Sequence, residues 1–341
     1  MAQPPAVSVI VPARNEGDNI GQVLERLLRQ DTAPREIIVT DAGSVDATRE
    51  IIKEFIRAGH PVRLLEDADA LPGRARNLAI SQAKGPWVAM TDAGTVTPPG
   101  WLGSLVTAAE QGGADVVFGS YEPVLGSFFQ ECLALAFVPP AAVVDGRPYR
   151  GPTTASLLLR REVWDSLGRF PEHLRACEDL LFFERLAASS WASRVAPEAT
   201  IGWKLPGGFR ATFRRFRLYS LHTLIAGLGR TWHRALGRNL LAAGLVVALA
   251  VLHHWAWLGL LVLAVAGRVY RSVRTRRPWL KLRHRVGVRT YLLVGLLLLW
   301  IDLAAVVGGL EYLVRLGPFR APGRSGAGAP LERGRGQAVD A

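Results

Sequence analysis

Two short segments of the sequence each carry an apolar run into a single aspartate that is followed by small residues. In "EIIVTDAGSVD" the aspartate is Asp41, and in "VAMTDAGTV" it is Asp92. An isolated aspartate in such a turn often accepts hydrogen bonds from the backbone that follows, as the cap of a helix or a turn. Because the pattern occurs twice after strand-like runs, we favour a binding role for both carboxylates.

A third acidic position is the adjacent pair Glu178-Asp179 in "RACEDLLFFERL". Acids at the start of a helix interact favourably with the helix dipole, which gives this pair a structural interpretation. A carboxylate beside a binding crevice can also act as a general base that removes a proton from a hydroxyl group. The residues alone leave both interpretations open.

Basic residues elsewhere in the sequence could contact phosphate. Arg76 in "GRARNLAI" stands near a predicted helix start, where it could bind a phosphate group or face solvent. Arg214, Arg215 and Arg217 could hold a diphosphate through charge-assisted hydrogen bonds or lie on lipid headgroups. Cys177 adjoins the acidic pair but has no evident histidine partner, so a cysteine nucleophile is not expected.

The elements that must position these residues alternate between strand and helix over the first 120 residues. Short apolar runs such as "VSVIV" at 7–11 and "EIIVT" at 36–40 are followed by segments with apolar residues at helical spacing. Continuous apolar strands that alternate with helices are typical of a parallel sheet covered on both faces. Ligands bind such sheets at the carboxyl ends of the strands, which is where Asp41 and Asp92 lie.

Charge is distributed very unevenly along the 341 residues, whose net charge is +12. Residues 1–200 carry 19 Lys and Arg against 25 Asp and Glu, whereas residues 201–341 carry 22 against 4. The basic part also contains the apolar blocks 240–267 and 291–310, each long enough to cross a bilayer. Basic residues beside apolar segments favour anionic membrane lipids as partners and argue against nucleic acid.

The topology of the two apolar blocks across the membrane has two interpretations. The loop 268–289 holds nine Arg or Lys, and a single crossing by each apolar block would place it outside, against the positive-inside rule. A hairpin that turns near His253-His254 keeps the loop inside, although each arm would be short, and we favour it. The preceding segment "FRATFRRFRLYSLH" from Phe209 sets phenylalanines on one helical face beside arginines, which predicts an interfacial helix.

The cysteines and the N-terminal segment indicate a cytoplasmic location for the acidic part. The two cysteines, Cys132 and Cys177, form no disulfide framework and suit a reducing compartment. The start "MAQPPAVSVIVP" lacks the basic and apolar regions of a signal peptide. The tail after Pro318 is rich in Gly, Pro and Arg, which is typical of disordered segments.

Taken together, the motifs resemble those of the family 2 glycosyltransferases with the GT-A fold. The resemblance covers about residues 5–220 and rests on the order of "VSVIVPARNE", "EIIVTDAGSVDAT", "GRARNLAI", "VAMTDAGTVTPPGWL", "CEDLLFFERL" and "WKLP". It implies an α/β fold with a Rossmann-like, mostly parallel sheet and helices on both faces. With the charge and hydropathy pattern it divides the chain into a GT-A domain at 1–207, interfacial helices at 208–238, membrane-embedded helices at 239–313 and a disordered tail at 314–341.

The resemblance also implies roles for individual residues. Asp41 would contact the nucleotide base, and Asp92 matches the first acid of the Asp-x-Asp motif that holds a divalent metal. Asp179 would be the catalytic base, with Glu178 beside it. The expected donor-binding residues are Pro12, Arg14, Glu16, Asp41, Arg76, Asp92, Arg214 and Arg217.

Gly94 departs from the family motif, because it stands where the second acid of Asp-x-Asp is expected. Magnesium usually keeps several waters and needs only one or two carboxylates in addition to substrate phosphates. Asp92 can therefore suffice for Mg²⁺ or Mn²⁺, with weaker affinity. The departure bears on metal dependence more than on the fold.

The reaction that the resemblance implies is inverting transfer of a sugar from a nucleotide-diphosphate sugar to a hydroxyl group. The acceptor would be lipid-linked or a cell-envelope glycan, at an inner (plasma) membrane that a multi-pass chain crosses with its catalytic domain in the cytoplasm. One alternative is a polyprenyl-phosphate sugar synthase, whose ionised acceptor needs no base, and another is an inactive scaffold, which Gly94 permits. A nucleotidylyltransferase is disfavoured, because "VPARNEGDN" has one glycine and two acids and is not a glycine-rich phosphate loop.

Overall fold

The computed structural model describes residues 6–229 and 232–316. Its first part confirms the predicted alternation of strands and helices. The elements of this part are β1 (Val7–Ala13), α1 (Ile20–Leu28), β2 (Glu36–Asp41), α2 (Thr48–Arg57), β3 (Val62–Glu66), α3 (Pro72–Ser81), β4 (Trp87–Met90), β5 (Thr95–Val96), α4 (Trp101–Gly112) and β6 (Val116–Val124).

The second part is less regular and contains two long elements that the sequence analysis did not predict. They are the apolar helix α5 (Phe128–Phe137) and the strand β10 (Ser193–Lys204). The remaining elements are β7 (Ala142–Val144), β8 (Arg147–Tyr149), β9 (Leu157–Arg160), α6 (Arg161–Ser166), α7 (Glu178–Ala187), α8 (Phe209–Ile225), α9 (Trp232–Leu252), α10 (Leu258–Arg276) and α11 (Val288–Leu316).

Eight strands form one sheet in the order β3-β2-β1-β4-β9-β6-β10-β5. The pairs β2–β3, β1–β2, β1–β4 and β6–β10 are parallel, which confirms a mostly parallel sheet with helices on both faces. The strand β9 runs antiparallel between β4 and β6. Its run Leu157–Leu159 is fully buried, so its composition predicts a central strand but not the direction of that strand.

The sheet is fixed by apolar side chains that alternate between its two faces. Val9 and Val11 of β1 join the cluster on one face, while Ile10 and Met90 join the cluster on the other. Burying such a side chain contributes roughly 1.5–3 kcal/mol. The strands are therefore rigid supports for the acidic turns that follow them.

A third apolar cluster attaches the C-terminal helices to the sheet domain through α5. It includes Cys132 of α5, Phe216 of α8, Val273 of α10 and Leu297 of α11. Phe209 and Phe213 of α8 pack against the same cluster. The apolar face predicted for α8 thus contacts protein.

Three helices of the described residues are long and apolar enough to cross a membrane, where the sequence showed two apolar blocks. The first block divides at the predicted turn, since α9 ends at Leu252 and α10 begins at Leu258. The two arms contain 21 and 19 residues, because basic segments outside the apolar block continue both helices. Each arm is therefore longer than the apolar block alone indicates.

The predicted basic loop 268–289 is shorter in the structure, because residues 268–276 continue α10 and residues 288–289 begin α11. The remaining basic loop is hydrogen-bonded to the sheet domain. The buried carboxylate of Glu131 accepts the backbone N–H groups of Arg283 at 2.9 Å and His284 at 3.2 Å. Arg150 donates to the carbonyl of Trp279 at 2.6 Å. These contacts hold the loop against the sheet domain. The predicted disordered tail lies, from residue 317 onward, outside the described residues.

Candidate active site

A cavity of about 970 Å³ opens at the carboxyl ends of β1 and β4. Its walls come from the loops after these strands, from the starts of α3 and α7, and from α8, α10 and α11. Seven of the ten site residues predicted from the sequence line it, namely Pro12, Arg14, Glu16, Arg76, Asp92, Glu178 and Asp179.

Arg76 lies at the centre of these acids and is almost completely buried. Its Nη1 atom donates to Glu178 Oε1 at 2.6 Å, and its Nη2 atom donates to Asp92 Oδ1 at 2.9 Å. Burial lowers the pKa of Arg76, but the charges of Asp92, Glu178 and Asp179 outweigh burial and raise that pKa above its ordinary value. Arg76 therefore stays charged and joins the turn after β4 to the start of α7.

The acidic pair begins α7 after a residue with left-handed backbone geometry. Cys177 has a φ of 69°, and Glu178 and Asp179 form the first turn that follows. Burial, followed by the charge of Glu178, raises the pKa of Asp179 to about 6, while Arg76 opposes this shift. A carboxylate with a pKa near the working pH is suited to accept a proton during a reaction.

Cys177 itself remains an unreactive thiol. Burial raises the pKa of Cys177 to about 11, and its Sγ atom lies 3.4 Å from Thr223 Oγ1. A neutral thiol is a poor nucleophile, because the thiolate is the reactive form.

Glu16 lies in the loop after β1, opposite the turn that carries Asp92. Asn15 before it has a φ of 54°, a left-handed conformation that asparagine tolerates better than most residues. Asn15 N–H donates to Ser44 Oγ at 2.8 Å, and Asn19 Nδ2 donates to Glu16 Oε2 at 2.7 Å. Burial raises the pKa of Glu16, and repulsion from Asp92 adds to this against the Asn19 hydrogen bond.

Asp41 lies behind the cavity wall, where the next residue, Ala42, is exposed to the cavity. Its Oδ2 atom accepts the Ser44 N–H at 3.0 Å, which is the capping contact expected of an ordinary turn. Its buried Oδ1 atom has no hydrogen-bond partner among the described residues. A buried oxygen without a partner is costly, so Oδ1 is an acceptor that the described residues leave unused.

The arginines of α8 divide between solvent and the protein interior. Arg214 and Arg217 are exposed and do not line the cavity, and Arg217 Nε lies 3.7 Å from Glu311 Oε2. Arg215 instead stacks over Trp203, with its Cζ atom 5.7 Å from the ring centroid, and its buried Nη1 atom has no partner among the described residues. From the sequence, Arg215 could hold a diphosphate together with Arg214 and Arg217, but it was not among the expected donor-binding residues.

The end of the cavity nearest the C-terminal helices contains charged residues that the sequence analysis did not assign. Arg268 of α10 and Asp302 of α11 form a two-contact ion pair there, with Arg268 Nη2 2.9 Å from Asp302 Oδ1. Arg276 and Tyr219 also line this region. The available sequence signal was an ionisable residue inside an apolar block, which generally marks a functional position.

The oxygen donors around Asp92 suit a hard divalent cation. Arg76 occupies Asp92 Oδ1, and the Asp92 side chain is 44% exposed, which leaves its second oxygen accessible. The described residues contain no cluster of three or more His, Cys, Asp or Glu that could hold a metal alone. A site of one or two carboxylates completed by diphosphate oxygens and water fits Mg²⁺ chemistry.

Residues 8–170 match the family model described as Glycosyl transferase family 2. The chain is similar to the glycosyltransferase AglE of Haloferax volcanii, with 30% identity over 199 residues that cover 56% of this chain and 64% of AglE. It is also similar to the succinoglycan biosynthesis protein ExoO of Rhizobium meliloti, with 28% identity over 236 residues that cover 65% of this chain and 66% of ExoO. The chain thus spans just under two thirds of the length of these relatives.

The fold is similar to that of the mannosyltransferase PcManGT from Pyrobaculum calidifontis, solved in complex with GDP-Man and Mn²⁺. The TM-score is 0.61 with 20% sequence identity, and the match covers 91% of this chain and 88% of PcManGT. At this identity the comparison establishes the shared GT-A fold.

Proposed function

We propose, from the premise that this chain belongs to glycosyltransferase family 2, that it is an inverting transferase. Its donor is a nucleotide-diphosphate sugar, and its acceptor is the hydroxyl group of a lipid-linked molecule or a cell-envelope glycan. The observation that carries the proposal is the shared cavity in which Arg76 holds Asp92 beside the helix start that presents Asp179.

Asp179 is the general base of the proposed reaction. The acceptor oxygen attacks the anomeric carbon from the face opposite the diphosphate, and the bond from that carbon to the diphosphate oxygen breaks. Asp179 takes the acceptor proton as the new carbon–oxygen bond forms, and the nucleoside diphosphate leaves. Its pKa of about 6 supports this role, because the carboxylate is ionised at neutral pH and still basic enough to accept the proton.

Asp92 faces the donor diphosphate, and Arg76 is a positioning residue that keeps this carboxylate and Glu178 in place. A divalent cation such as Mg²⁺ or Mn²⁺, held by Asp92, would neutralise the charge of the diphosphate. PcManGT is described with Mn²⁺ and GDP-Man, which supports a cation and a nucleotide sugar for this chain.

Asp41 is proposed to bind the nucleotide base through its second carboxylate oxygen. The free Oδ1 atom supports this role, since a base N–H group could donate to it. Pro12 and Arg14 line the cavity from the loop after β1 and would contact the rest of the donor.

The acceptor is proposed to enter from the membrane side. The cavity reaches Arg268 and Asp302 on two of the helices that are long enough to cross a bilayer. The basic loop lies against the sheet domain, so a hairpin of α9 and α10 would keep both on the cytoplasmic side of an inner membrane. ExoO is named for succinoglycan biosynthesis, which supports a glycan product.

A phosphate acceptor is the second candidate, and one observation favours it. Arg268 and Arg276 place two guanidinium groups at the end of the cavity nearest the C-terminal helices, where a polyprenyl phosphate could reach them. Such an acceptor is already ionised and would not require Asp179 as a base. Substitution of Asp179 therefore separates the two acceptor classes.

The donor is identified by screening the full-length chain, reconstituted in anionic vesicles, against UDP-, GDP- and other nucleotide sugars. We expect one class to raise the unfolding temperature and to release nucleoside diphosphate. Asp92→Ala should lose the release, whereas Glu110→Gln on the exposed surface of α4 should retain it. If no nucleotide sugar stabilises the chain or is consumed, the proposed function is wrong.

A further inference from the structure

The turn after β4 has an open space where the second acid of the Asp-x-Asp motif would stand. A Cβ atom built on Gly94 has only two close neighbours, Glu16 Oε1 and Glu16 Oε2, each at 3.9 Å. The carboxylate of Glu16 therefore occupies the region that a side chain at position 94 would enter. Gly94 has no left-handed φ, so its backbone can accept another residue.

The loop that carries Glu16 is fixed by the neighbouring β2–α2 connection. Glu16 N–H donates to Thr48 Oγ1 at 2.8 Å, and Gly17 N–H donates to Asp46 Oδ2 at 3.0 Å. The Asn19 amide holds Glu16 Oε2. These contacts orient Glu16 toward Asp92 with one carboxylate oxygen left for another partner.

Glu16 has no basic side chain within ion-pair distance among the described residues, although Lys204 lies farther off and the negative charge of Asp92 is nearby. Two neighbouring carboxylates repel each other unless a cation lies between them. Arg76 contacts Asp92 on the other side of the turn, through Oδ1. The space between Glu16 and Asp92 is thus lined by acceptor oxygens on both sides.

We propose that Glu16 supplies the second protein carboxylate of the divalent cation site and replaces the side chain that is missing at Gly94. This inference rests on the proposed use of a nucleotide-diphosphate donor. The cation would be held by Asp92 from β4, by Glu16 from the β1 loop and by diphosphate oxygens, a donor set that Mg²⁺ and Mn²⁺ accept. The second carboxylate would thus come from the loop after the neighbouring strand β1 and not from the turn after β4 that carries Asp92.

The test measures Mn²⁺ binding to the full-length chain in detergent. Electron paramagnetic resonance monitors the binding, with UDP or GDP present. Glu16→Gln should weaken Mn²⁺ binding by at least about tenfold, a loss that even outer-shell partners of metal ligands can cause. Gly94→Asp should restore Mn²⁺ binding in the Glu16→Gln background. Glu110→Gln is the matched control and should bind Mn²⁺ like the wild type.

The double variant Glu16→Gln with Gly94→Asp separates a metal-binding role of Glu16 from a role in supporting its loop. Thermal unfolding of each variant reports folding separately from Mn²⁺ binding. Wild-type Mn²⁺ affinity in Glu16→Gln, or failure of Gly94→Asp to restore binding in a folded double variant, overturns the role of Glu16. If the wild-type chain binds no nucleoside diphosphate, with or without Mn²⁺, the proposed donor and the role of Glu16 are both wrong.

Discussion

Arg76 and Glu178 are 102 residues apart in the sequence and form a buried ion pair with a distance of 2.6 Å. Asp92 accepts a second hydrogen bond from the same guanidinium. One side chain of α3 therefore contacts both the turn after β4 and the helix that carries Asp179. The two halves of the proposed site are therefore mechanically joined through a single residue.

Replacing Arg76 should destabilise the chain and not only slow its reaction. Arg76→Met leaves Glu178 buried without its cation, and breaking a buried pair in this way costs about 3–5 kcal/mol. Chemical denaturation of the detergent-solubilised chain measures the loss. Arg74→Gln, an exposed arginine on the same helix, is the control and should have little effect.

The double variant Arg76→Met with Glu178→Met separates stability from function. Removing both charges should recover much of the free energy of unfolding, because the uncompensated carboxylate is gone. Turnover should not recover, since Asp92 and the start of the helix that carries Asp179 lose their shared positioning group. A double variant as unstable as Arg76→Met would contradict the assignment of the buried pair.

Ionised Asp179 should lower the free energy of unfolding at neutral pH. Its pKa is raised to about 6 in the folded chain, mainly by burial, against an ordinary value of about 3.9. Between these values the folded state binds more protons than the unfolded state, so stability falls as the pH rises from about 4 to about 6. Asp179→Asn should therefore unfold at a higher temperature than the wild type at pH 7, with little gain near pH 4.

Thermal unfolding across this pH range checks the sign of the effect. An Asp179→Asn variant that differs from the wild type by the same amount at both ends of the range would show that the pKa of Asp179 is not raised by folding.

The local features of this fold were predictable from the sequence, and the long-range ones were not. The apolar run before Asp41 and the helical spacing after it depend on neighbours in the chain, so β2 and α2 were placed correctly. The antiparallel direction of β9 depends on which strands flank it, and composition does not encode that. The helix α5 was missed because its apolar residues have their partners on α8, α10 and α11.

The site shows the same division between local and distant information. The pattern of strand-end turns predicted Asp92 at the carboxyl edge of the sheet, and the cavity there also contains the acidic pair that begins α7. Composition could not show that Arg76 donates its hydrogen bonds to carboxylates, because one partner, Glu178, is more than a hundred residues away. Helical phase distinguishes Arg215 from Arg214 and Arg217, but only once the packed face of α8 is known.

Asp41 and Asp92 should make different contributions to nucleotide binding. Asp41→Asn keeps an oxygen that can accept the Ser44 N–H and removes the charge from the free Oδ1 position. It should weaken binding of the nucleoside diphosphate by about 1.5–3 kcal/mol with or without metal, the value of a hydrogen bond to a charged group. Asp92→Ala should remove only the metal-dependent part of binding.

Calorimetric titration of both variants, with and without Mn²⁺, resolves these contributions. The predicted result is metal-independent loss in Asp41→Asn and metal-dependent loss in Asp92→Ala. Equal losses that do not depend on metal would make both residues ordinary caps of their turns.

Membrane association should depend on the basic loop. Arg277→Gln with Arg285→Gln removes two exposed charges near the sheet domain, and each basic residue near an anionic surface contributes about 1 kcal/mol. Flotation with anionic vesicles at low salt should therefore fall by roughly thirtyfold in partition. The pair Arg29→Gln with Arg57→Gln, exposed on the sheet domain, is the control and should float like the wild type.

High salt provides the complementary measurement, because screening weakens exposed charge interactions. The wild type should lose part of its binding to anionic vesicles and keep the part that comes from apolar insertion. A full-length chain that stays in solution without detergent and ignores vesicles would contradict the membrane assignment.

The central claim is that Asp179 removes the acceptor proton, and single-turnover transfer by Asp179→Asn with a bound donor tests it most directly. Removal of a general base should slow transfer by about a hundred- to ten-thousand-fold while donor affinity is unchanged. The wild-type rate should rise with pH and level off above about 6, where Asp179 is ionised. Transfer by Asp179→Asn at near the wild-type rate would contradict the claim and favour an acceptor that is already ionised.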